Sequence, residues 1–150
     1  MATAQKQKQS PQKVTVTRLI NAPQARVYKA WTDPEDMKKW TGPGDRTLGF
    51  FECDYRVGGR YRLGMSGPDG SSIAASGTYR VIEPPKKLVY TWKWESQAPG
   101  DPESLVTVLF NARGKETEVV VIHEGLKADA QKDHEEGWGG SLDKLQSLFE

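Results

Sequence analysis

Cysteine, histidine and long apolar runs are scarce in this sequence, and each scarcity excludes a class of protein. The single cysteine, Cys53, excludes an internal disulfide and agrees with a reducing compartment. We expect it to be a small buried apolar side chain. No apolar run approaches the roughly 20 residues of a membrane-spanning helix, and residues 1–13 lack the apolar core of a secretory signal. The sequence therefore predicts a cytoplasmic protein without membrane insertion.

The motifs of metal and catalytic sites are missing as well. His123-Glu124 and His134-Glu135 each begin like the helix motif of zinc proteases, but no second histidine follows at the required spacing. Neither a Gly-x-Ser-x-Gly elbow nor a complete dinucleotide fingerprint occurs, so we predict no metal and no cofactor. His134 is the catalytic candidate, because an imidazole in an apolar cavity can act as a general base. A hydrogen-bonded core histidine is the commoner role, so the sequence favours a protein that is not an enzyme.

Neither sign of charge dominates. The chain of 150 residues has 21 basic and 20 acidic residues, which are interspersed. It therefore lacks the basic surface that nucleic acid or an anionic membrane requires, and we expect no nucleic-acid partner. Residues 1–13 are rich in glutamine and lysine and contain no acid, a composition too polar to fold. We interpret them as a disordered leader before a single domain over residues 14–150.

The domain is predicted to begin with a strand and two short helices. β-Branched residues favour a strand over 14–20, and Pro23 suits the first turn of a helix over about 24–31. Asp33-Pro34 starts a second helix that ends near Trp40. Six further strands, separated by turn residues, are predicted at about 47–54, 60–66, 73–82, 87–95, 105–111 and 117–124.

Alternation of side chains identifies the inward face of two of these strands. Residues 87–95 alternate most clearly, which predicts one face in the core and one in solvent. The inward face would carry Leu88, Tyr90, Trp92 and Trp94, and the outward face Val89, Thr91, Lys93 and Glu95. In the last strand the inward residues would be Val119, Val121 and His123.

The C-terminal segment combines helical periodicity with glycines at 137, 139 and 140 around Trp138. Each glycine inside a helix costs about 1 kcal/mol relative to alanine, so this clustering indicates that space beside the tryptophan is needed. The apolar stripe consists of His134, Trp138, Leu142, Leu145 and Phe149, with Ser141 beside it. Two other interpretations stay open: a helix that simply completes the core, and one that ends near Gly137 and restarts at Ser141.

Sequential strands joined by tight turns imply an antiparallel sheet, whose apolar face needs a cover. The C-terminal helix is the only long amphipathic element available for that role. The sequence alone therefore predicts an α+β protein with a helix packed on a sheet.

Several motifs, in this order, resemble those of one known family. They are residues 21–23 with Val27 and Trp31, residues 33–40, 54–60, 77–79, 83–92 and 123–126, and Gly137-Trp138 before Leu142 and Leu145. The chain resembles the START-like (SRPBCC) superfamily. Within it, the chain is most similar to the branch named after homologues of the activator of the ninety-kilodalton heat-shock-protein ATPase.

This resemblance implies a helix-grip fold: a curved antiparallel sheet of about six to seven strands around a long C-terminal helix, with two short helices after the first strand. Members of the superfamily bind lipids, sterols, polyketides or plant hormones in a cavity between helix and sheet. The implied partner is therefore a small hydrophobic or amphipathic molecule. The expected cavity residues are Trp31, Trp40, Tyr61, Leu63, Tyr79, Tyr90, Trp92, Val108, Phe110, Val121, His123, His134, Trp138, Ser141, Leu142 and Leu145.

The resemblance leaves other functions open. The branch name suggests a co-chaperone or stress-response protein that contacts a chaperone through an exposed face. The full-length activator has a further N-terminal chaperone-binding domain, however, and this chain resembles only its C-terminal domain. A cavity-based enzyme of the cyclase or hydrolase type using His134, and a protein that sequesters a toxin or antibiotic, are the remaining alternatives.

Overall fold

The structure, a computed structural model, describes residues 13–150. The predicted leader lies outside the described residues, apart from Lys13, which begins the first strand. Within the described range there are seven strands and three helices: β1 (Lys13–Ile20), α1 (Gln24–Thr32), α2 (Pro34–Met37), β2 (Thr47–Cys53), β3 (Arg60–Ser66), β4 (Ser72–Glu83), β5 (Lys87–Trp94), β6 (Ser104–Arg113), β7 (Glu116–Glu124) and α3 (Ala128–Leu148).

The seven strands form one antiparallel sheet in the order β1-β7-β6-β5-β4-β3-β2. The chain leaves β1 at one edge, passes through α1 and α2, and enters β2 at the opposite edge. α3 is joined to β1 by a hydrogen bond from Arg18 Nε to Asp143 Oδ1 of 2.8 Å and one from Gln146 Nε2 to the Leu19 carbonyl of 3.0 Å. The α+β helix-grip fold predicted from the sequence is confirmed: a curved sheet surrounds a long C-terminal helix.

The two short helices position the segment that follows them. Asp33 caps α2 by accepting a hydrogen bond from the Glu35 backbone N–H at 2.9 Å, the usual role of aspartate at this position. α2 ends at Met37, earlier than the predicted end near Trp40, and residues 38–40 form a turn. Trp40 is nevertheless buried, and its indole N–H donates to the Ala30 carbonyl at 2.9 Å. This bond ties the start of segment 41–46 to α1.

The edge strand β2 corrects one prediction. Cys53, expected to be buried, is exposed at the end of this strand. β2 pairs only with β3 and carries mostly exposed residues. The general tendency of free cysteine to be buried therefore does not hold at this position, which lies at the end of an edge strand.

The strand β5 is buried on both faces in its centre. Leu88, Tyr90 and Trp92 are buried as predicted, but Val89 and Thr91, predicted to face solvent, are buried too. The Thr91 hydroxyl accepts from the Thr78 backbone N–H at 2.8 Å and donates to Glu103 at 3.0 Å. These bonds enclose the Thr91 hydroxyl between the β4 backbone and Glu103, which lies just before β6.

The last strand agrees with the expected alternation. Val119, Val121 and His123 have no exposed surface, whereas Glu124 at the end of the strand is exposed. An imidazole therefore lies in the core, among apolar side chains.

α3 is one continuous helix through all three glycines, so the proposed break near Gly137 is wrong. The glycines have different surroundings. A Cβ atom at Gly140 would lie 2.9 Å from the Pro43 Cβ and 3.2 Å from its Cα, whereas one at Gly139 would approach only the end of the Arg18 side chain, at 3.4 Å. A Cβ atom at Gly137 would meet no heavy atom within 4 Å. Gly140 therefore allows segment 41–46 to lie directly against the helix.

Alanine substitutions at the three positions test this difference. We expect Gly137→Ala and Gly139→Ala to raise the free energy of unfolding by about 0.5–1 kcal/mol, because alanine favours the helix and its methyl group has room. Gly140→Ala should lose this gain, because its methyl group would overlap Pro43. Urea denaturation of the three variants measures the comparison. Equal stabilisation at 139 and 140 would contradict the close packing at Pro43.

Candidate ligand-binding pocket

A pocket of about 480 Å³ lies between the N-terminal part of α3, the concave face of the sheet and segment 41–46. Its volume is within the range of small-molecule sites, about 300–1,000 Å³. The lining is mostly apolar and the pocket is partly open to solvent. Ten residues predicted from the sequence line it: Trp31, Trp40, Tyr61, Leu63, Tyr79, Tyr90, Trp92, His134, Trp138 and Ser141.

Six of the predicted cavity residues do not line the pocket and belong to the closed core. They are Val108, Phe110, Val121, His123, Leu142 and Leu145, each at most 1% exposed. The reason is the position of α3, whose C-terminal half lies close to β1. Inward-facing residues in that region meet the helix directly, whereas those on β3, β4 and β5 face the space beneath its N-terminal half.

Segment 41–46 supplies lining residues that sequence reasoning missed. Thr41, Gly42, Pro43 and Arg46 all line the pocket. The Lys144 ammonium donates to the Arg46 backbone carbonyl at 2.9 Å, which fixes the segment along α3. The glycines at 42 and 44 around Pro43 are typical of a turn. Nothing in the sequence shows that this turn folds over the sheet.

Other lining residues were assigned to elements but not to the cavity. Trp94 was placed on the inward face of its strand, and Gly137 was recognised as a source of space beside Trp138. The remaining residues missed from the lining are Thr32, Met37, Phe51, Met65, Ile73, Leu88, Ala130 and Asp133. Most are apolar side chains that periodicity can place inside, but periodicity cannot separate core from pocket wall.

Stacked indoles form one wall of the pocket. The rings of Trp31 and Trp138 lie nearly parallel, with an interplanar angle of 17° and centroids 6.1 Å apart. The ring centroids of Trp40 and Trp31 are 4.6 Å apart, with the two planes tilted by 47°. Trp92 lies 5.9 Å from Trp138. Aromatic pairs stabilise a fold beyond what burial of their surface contributes, so these contacts help to fix the positions of the four indoles.

Three tyrosines form a second part of the wall. The rings of Tyr61 and Tyr90 are 5.4 Å apart, and Tyr79 lies 5.7 Å from Tyr61. Burial raises the pKa of all three hydroxyls well above the ordinary value of 10.0, so they remain protonated. The Tyr61 hydroxyl donates to the Thr91 carbonyl at 2.5 Å. The wall therefore presents neutral rings rather than charges.

His123 accepts a hydrogen bond from the indole of Trp138. The Trp138 Nε1–H donates to His123 Nδ1 at 3.0 Å, and the Ser104 hydroxyl donates to the Trp92 carbonyl at 3.0 Å. The 2.7 Å contact between His123 Nε2 and Ser104 Oγ therefore has the imidazole as donor, which assigns the proton to Nε2. Burial, and next the neighbouring His134, lower the pKa of His123 to about 3. The imidazole is neutral in this network.

His134, the catalytic candidate, has both ring nitrogens engaged. Nδ1 lies 2.9 Å from the Ala130 carbonyl, to which it donates, and Nε2 accepts from the Trp94 indole at 3.0 Å. Its lone pair is thus directed at Trp94, and the ring centroid lies 4.9 Å from that of His123. In this arrangement His134 orients Trp94 in the pocket wall, and no free nitrogen is available as a general base.

Within residues 13–150, no group of three or more histidine, cysteine, aspartate and glutamate side chains is arranged to hold a metal ion. No helix in the same range combines the length and apolar character that crossing a bilayer requires.

Residues 21–150 match the family described as Activator of Hsp90 ATPase homolog 1-like protein. The match extends from the start of the segment before α1 to the end of α3, and includes every residue of the pocket. No curated protein matches the chain.

Several solved structures share the fold. Protein CV1439 from Chromobacterium violaceum is 26% identical with a TM-score of 0.83, and the alignment covers 93% of this chain and 98% of that one. The AHSA1 protein from Silicibacter pomeroyi is 23% identical with a TM-score of 0.80, covering 91% and 96%. CalU16 from Micromonospora echinospora is 26% identical with a TM-score of 0.70, covering 91% of this chain and 74% of that protein.

Proposed function

The chain belongs to the Activator of Hsp90 ATPase homolog 1-like family, as its motifs indicated, and on this premise we propose that it binds a small hydrophobic or amphipathic molecule. The ligand occupies the pocket between α3 and the sheet. The observation that carries the proposal is a mostly apolar pocket of about 480 Å³, walled by tryptophan and tyrosine rings. Burying apolar ligand surface against these rings stabilises a complex by roughly 25 cal/mol per Å² before the costs of association.

The glycine in the wall supports a binding role over simple core packing. Gly137 lines the pocket, and a Cβ atom there would meet no heavy atom within 4 Å. A residue selected only for helix stability and packing would fill this space, because glycine costs about 1 kcal/mol in a helix. The open space beside Trp138 is consistent with a site that accommodates another molecule.

Filling this space should block binding. Gly137 lines the pocket and a Cβ atom there has free space, so we expect a leucine at this position to occupy part of the pocket. Gly139 does not line the pocket and a Cβ atom there approaches only the end of Arg18, so leucine at 139 serves as the matched control. A fatty acid, a sterol and a flavonoid are titrated while the indole N–H signals of Trp92 and Trp138 are recorded by NMR. We expect a compound that binds to shift both signals, and Gly137→Leu to weaken its affinity by about tenfold or more. Gly139→Leu should leave the affinity close to that of the intact protein.

Two results would count against the proposal. The first is an absence of shifts at both indoles for every compound. The second is equal affinity of the two leucine variants for every compound that binds. Circular dichroism of both variants confirms that they are folded, so a loss of binding is assigned to the pocket.

The other functional expectations stay predictions from the sequence and from the family resemblance. These are the contact with a chaperone, the catalytic role of His134 and the cytoplasmic location. The hydrogen bonds to both nitrogens of His134 favour binding over catalysis at this pocket.

A further inference from the structure

Three buried polar side-chain atoms of the described chain have no hydrogen-bond partner: Thr41 Oγ1, Arg46 Nη1 and Trp92 Nε1. All three belong to residues that line the pocket. Buried polar groups are nearly always hydrogen-bonded, so unpartnered ones require an explanation. Their occurrence at a single pocket indicates partners supplied by a bound molecule.

Arg46 is the only one of the three with a charge. Its guanidinium forms no ion pair with any residue in the range 13–150. Hydrogen bonds from Ser71, whose hydroxyl donates at 2.6 Å and whose backbone N–H donates at 3.0 Å, lower the pKa of Asp69 on the β3–β4 turn, and the charge of Arg46 adds to this effect without forming an ion pair. Lys144 adds a second positive charge beside the segment. This side of the pocket therefore favours an anion.

Asp133 is the opposing charge at the pocket. It lines the site from the first half of α3 and is exposed, whereas Arg46 Nη1 is buried. A charge in water is screened far more strongly than one out of contact with water. Arg46 is half-buried and its Nη1 is out of contact with water, so its charge is less screened than that of the exposed Asp133.

We propose that the ligand is an apolar carboxylic acid whose carboxylate binds Arg46 and Thr41, while Trp92 Nε1 donates to a second oxygen in the ligand body. The inference rests on the proposed binding function and specifies its ligand class. A guanidinium matches a carboxylate with two parallel hydrogen bonds, and a threonine hydroxyl can donate a third. One guanidinium and one hydroxyl suit a singly charged carboxylate, whereas phosphate groups usually receive several charges or backbone donors.

Pairs of probes that differ only in charge test the carboxylate. 2-Naphthoate is compared with its methyl ester, and decanoate with 1-decanol, by isothermal titration calorimetry of the full chain at pH 7. We expect the intact protein to bind each acid at least about tenfold more tightly than its neutral partner, the effect of a hydrogen-bonded charge pair. Arg46→Met should remove this preference, so that each acid and its neutral partner bind with similar affinity. Arg80→Met, which removes the same charge from an exposed position outside the pocket, should retain it.

Trp92→Phe tests the second hydrogen bond. The variant should lose affinity for 6-hydroxy-2-naphthoate by several-fold relative to 2-naphthoate, because only the hydroxylated acid offers an oxygen to the indole N–H. Thr41→Val keeps the shape of the side chain, and is expected to weaken the acids more than the neutral probes. If Arg46→Met does not fold, the preference of Thr41→Val for the acids over the neutral probes tests the carboxylate inference in its place.

The outcomes separate the two proposals. Equal affinity for charged and neutral probes, or a preference that survives both Arg46→Met and Thr41→Val, overturns the carboxylate inference and leaves pocket binding intact. Failure of the intact protein to bind any of these probes overturns the carboxylate inference, and the binding function is overturned as well only if the sterol and the flavonoid also fail to bind.

Discussion

Replacing Leu142 with alanine is expected to lower the free energy of unfolding by about 2–5 kcal/mol. Leu142 has no exposed surface and lies in the closed core, not in the pocket. Truncation removes buried methyl groups and leaves a void that the rigid surroundings fill only in part. This variant therefore reports on the region where α3 lies directly on the sheet.

Leu63→Ala provides the matched comparison, because the same atoms are removed from a residue that lines the pocket. The loss of stability should be smaller, since truncation there enlarges an existing space instead of creating an isolated cavity. Denaturation in urea measures both variants, and titration with the probes above measures binding. Ligand affinity should change in Leu63→Ala and remain unchanged in Leu142→Ala. If Leu142→Ala lowers the free energy of unfolding no more than Leu63→Ala does, the region around Leu142 is not the closed core described above.

Acidification from pH 6.5 to about 4.5 is expected to lower the free energy of unfolding by roughly 2–3 kcal/mol through His123 alone. Burial lowers the pKa of His123 in the folded state from 6.5 to about 3, so over this interval the unfolded chain binds a proton that the folded chain does not. Stability from the neutral imidazole is complete above pH 6.5 and is lost as the pH falls toward 3. The hydrogen bond from Arg62 lowers the pKa of Glu95, so the stability that this carboxylate contributes is present above its ordinary pKa of 4.5 and is lost as the pH falls below that value.

His123→Gln separates this effect from other titrations. The variant should be less stable near pH 7, because it loses part of the hydrogen-bond network, but its stability should fall much less than that of the intact protein between pH 6.5 and about 4.5. Urea denaturation at closely spaced pH values gives both curves. If the free energy of unfolding of the variant falls with pH as steeply as that of the intact protein, His123 is already protonated or another group causes the pH dependence.

The order of elements and the inward faces were accessible from the sequence because they depend on local patterns. Proline and glycine mark the turns, and a period of two separates Val119 and Val121 from their outward neighbours. The stripe of α3 also follows from spacing alone. These features require no knowledge of how far apart two elements lie.

The division between core and pocket was not accessible in this way. Leu142 and Trp138 lie on the same stripe one turn apart, yet the first is enclosed and the second lines the pocket. The difference depends on how closely the helix approaches the sheet, which is a property of the assembled fold. Arg46 was missed for a related reason, since its segment has no periodicity and its place is fixed by contacts with α3.

The close approach of Pro43 to Gly140 means that a residue outside the pocket helps to set the pocket's width. Gly140 does not line the pocket, but its missing side chain determines how closely the opposite wall approaches. We expect a larger residue at 140 to hold Pro43 away from the helix and widen the pocket, whereas a larger residue at 137 would occupy its interior. Two positions less than one helical turn apart therefore change the capacity of the site in opposite directions. This gives a direct route to redesigning ligand size without altering any aromatic residue of the wall.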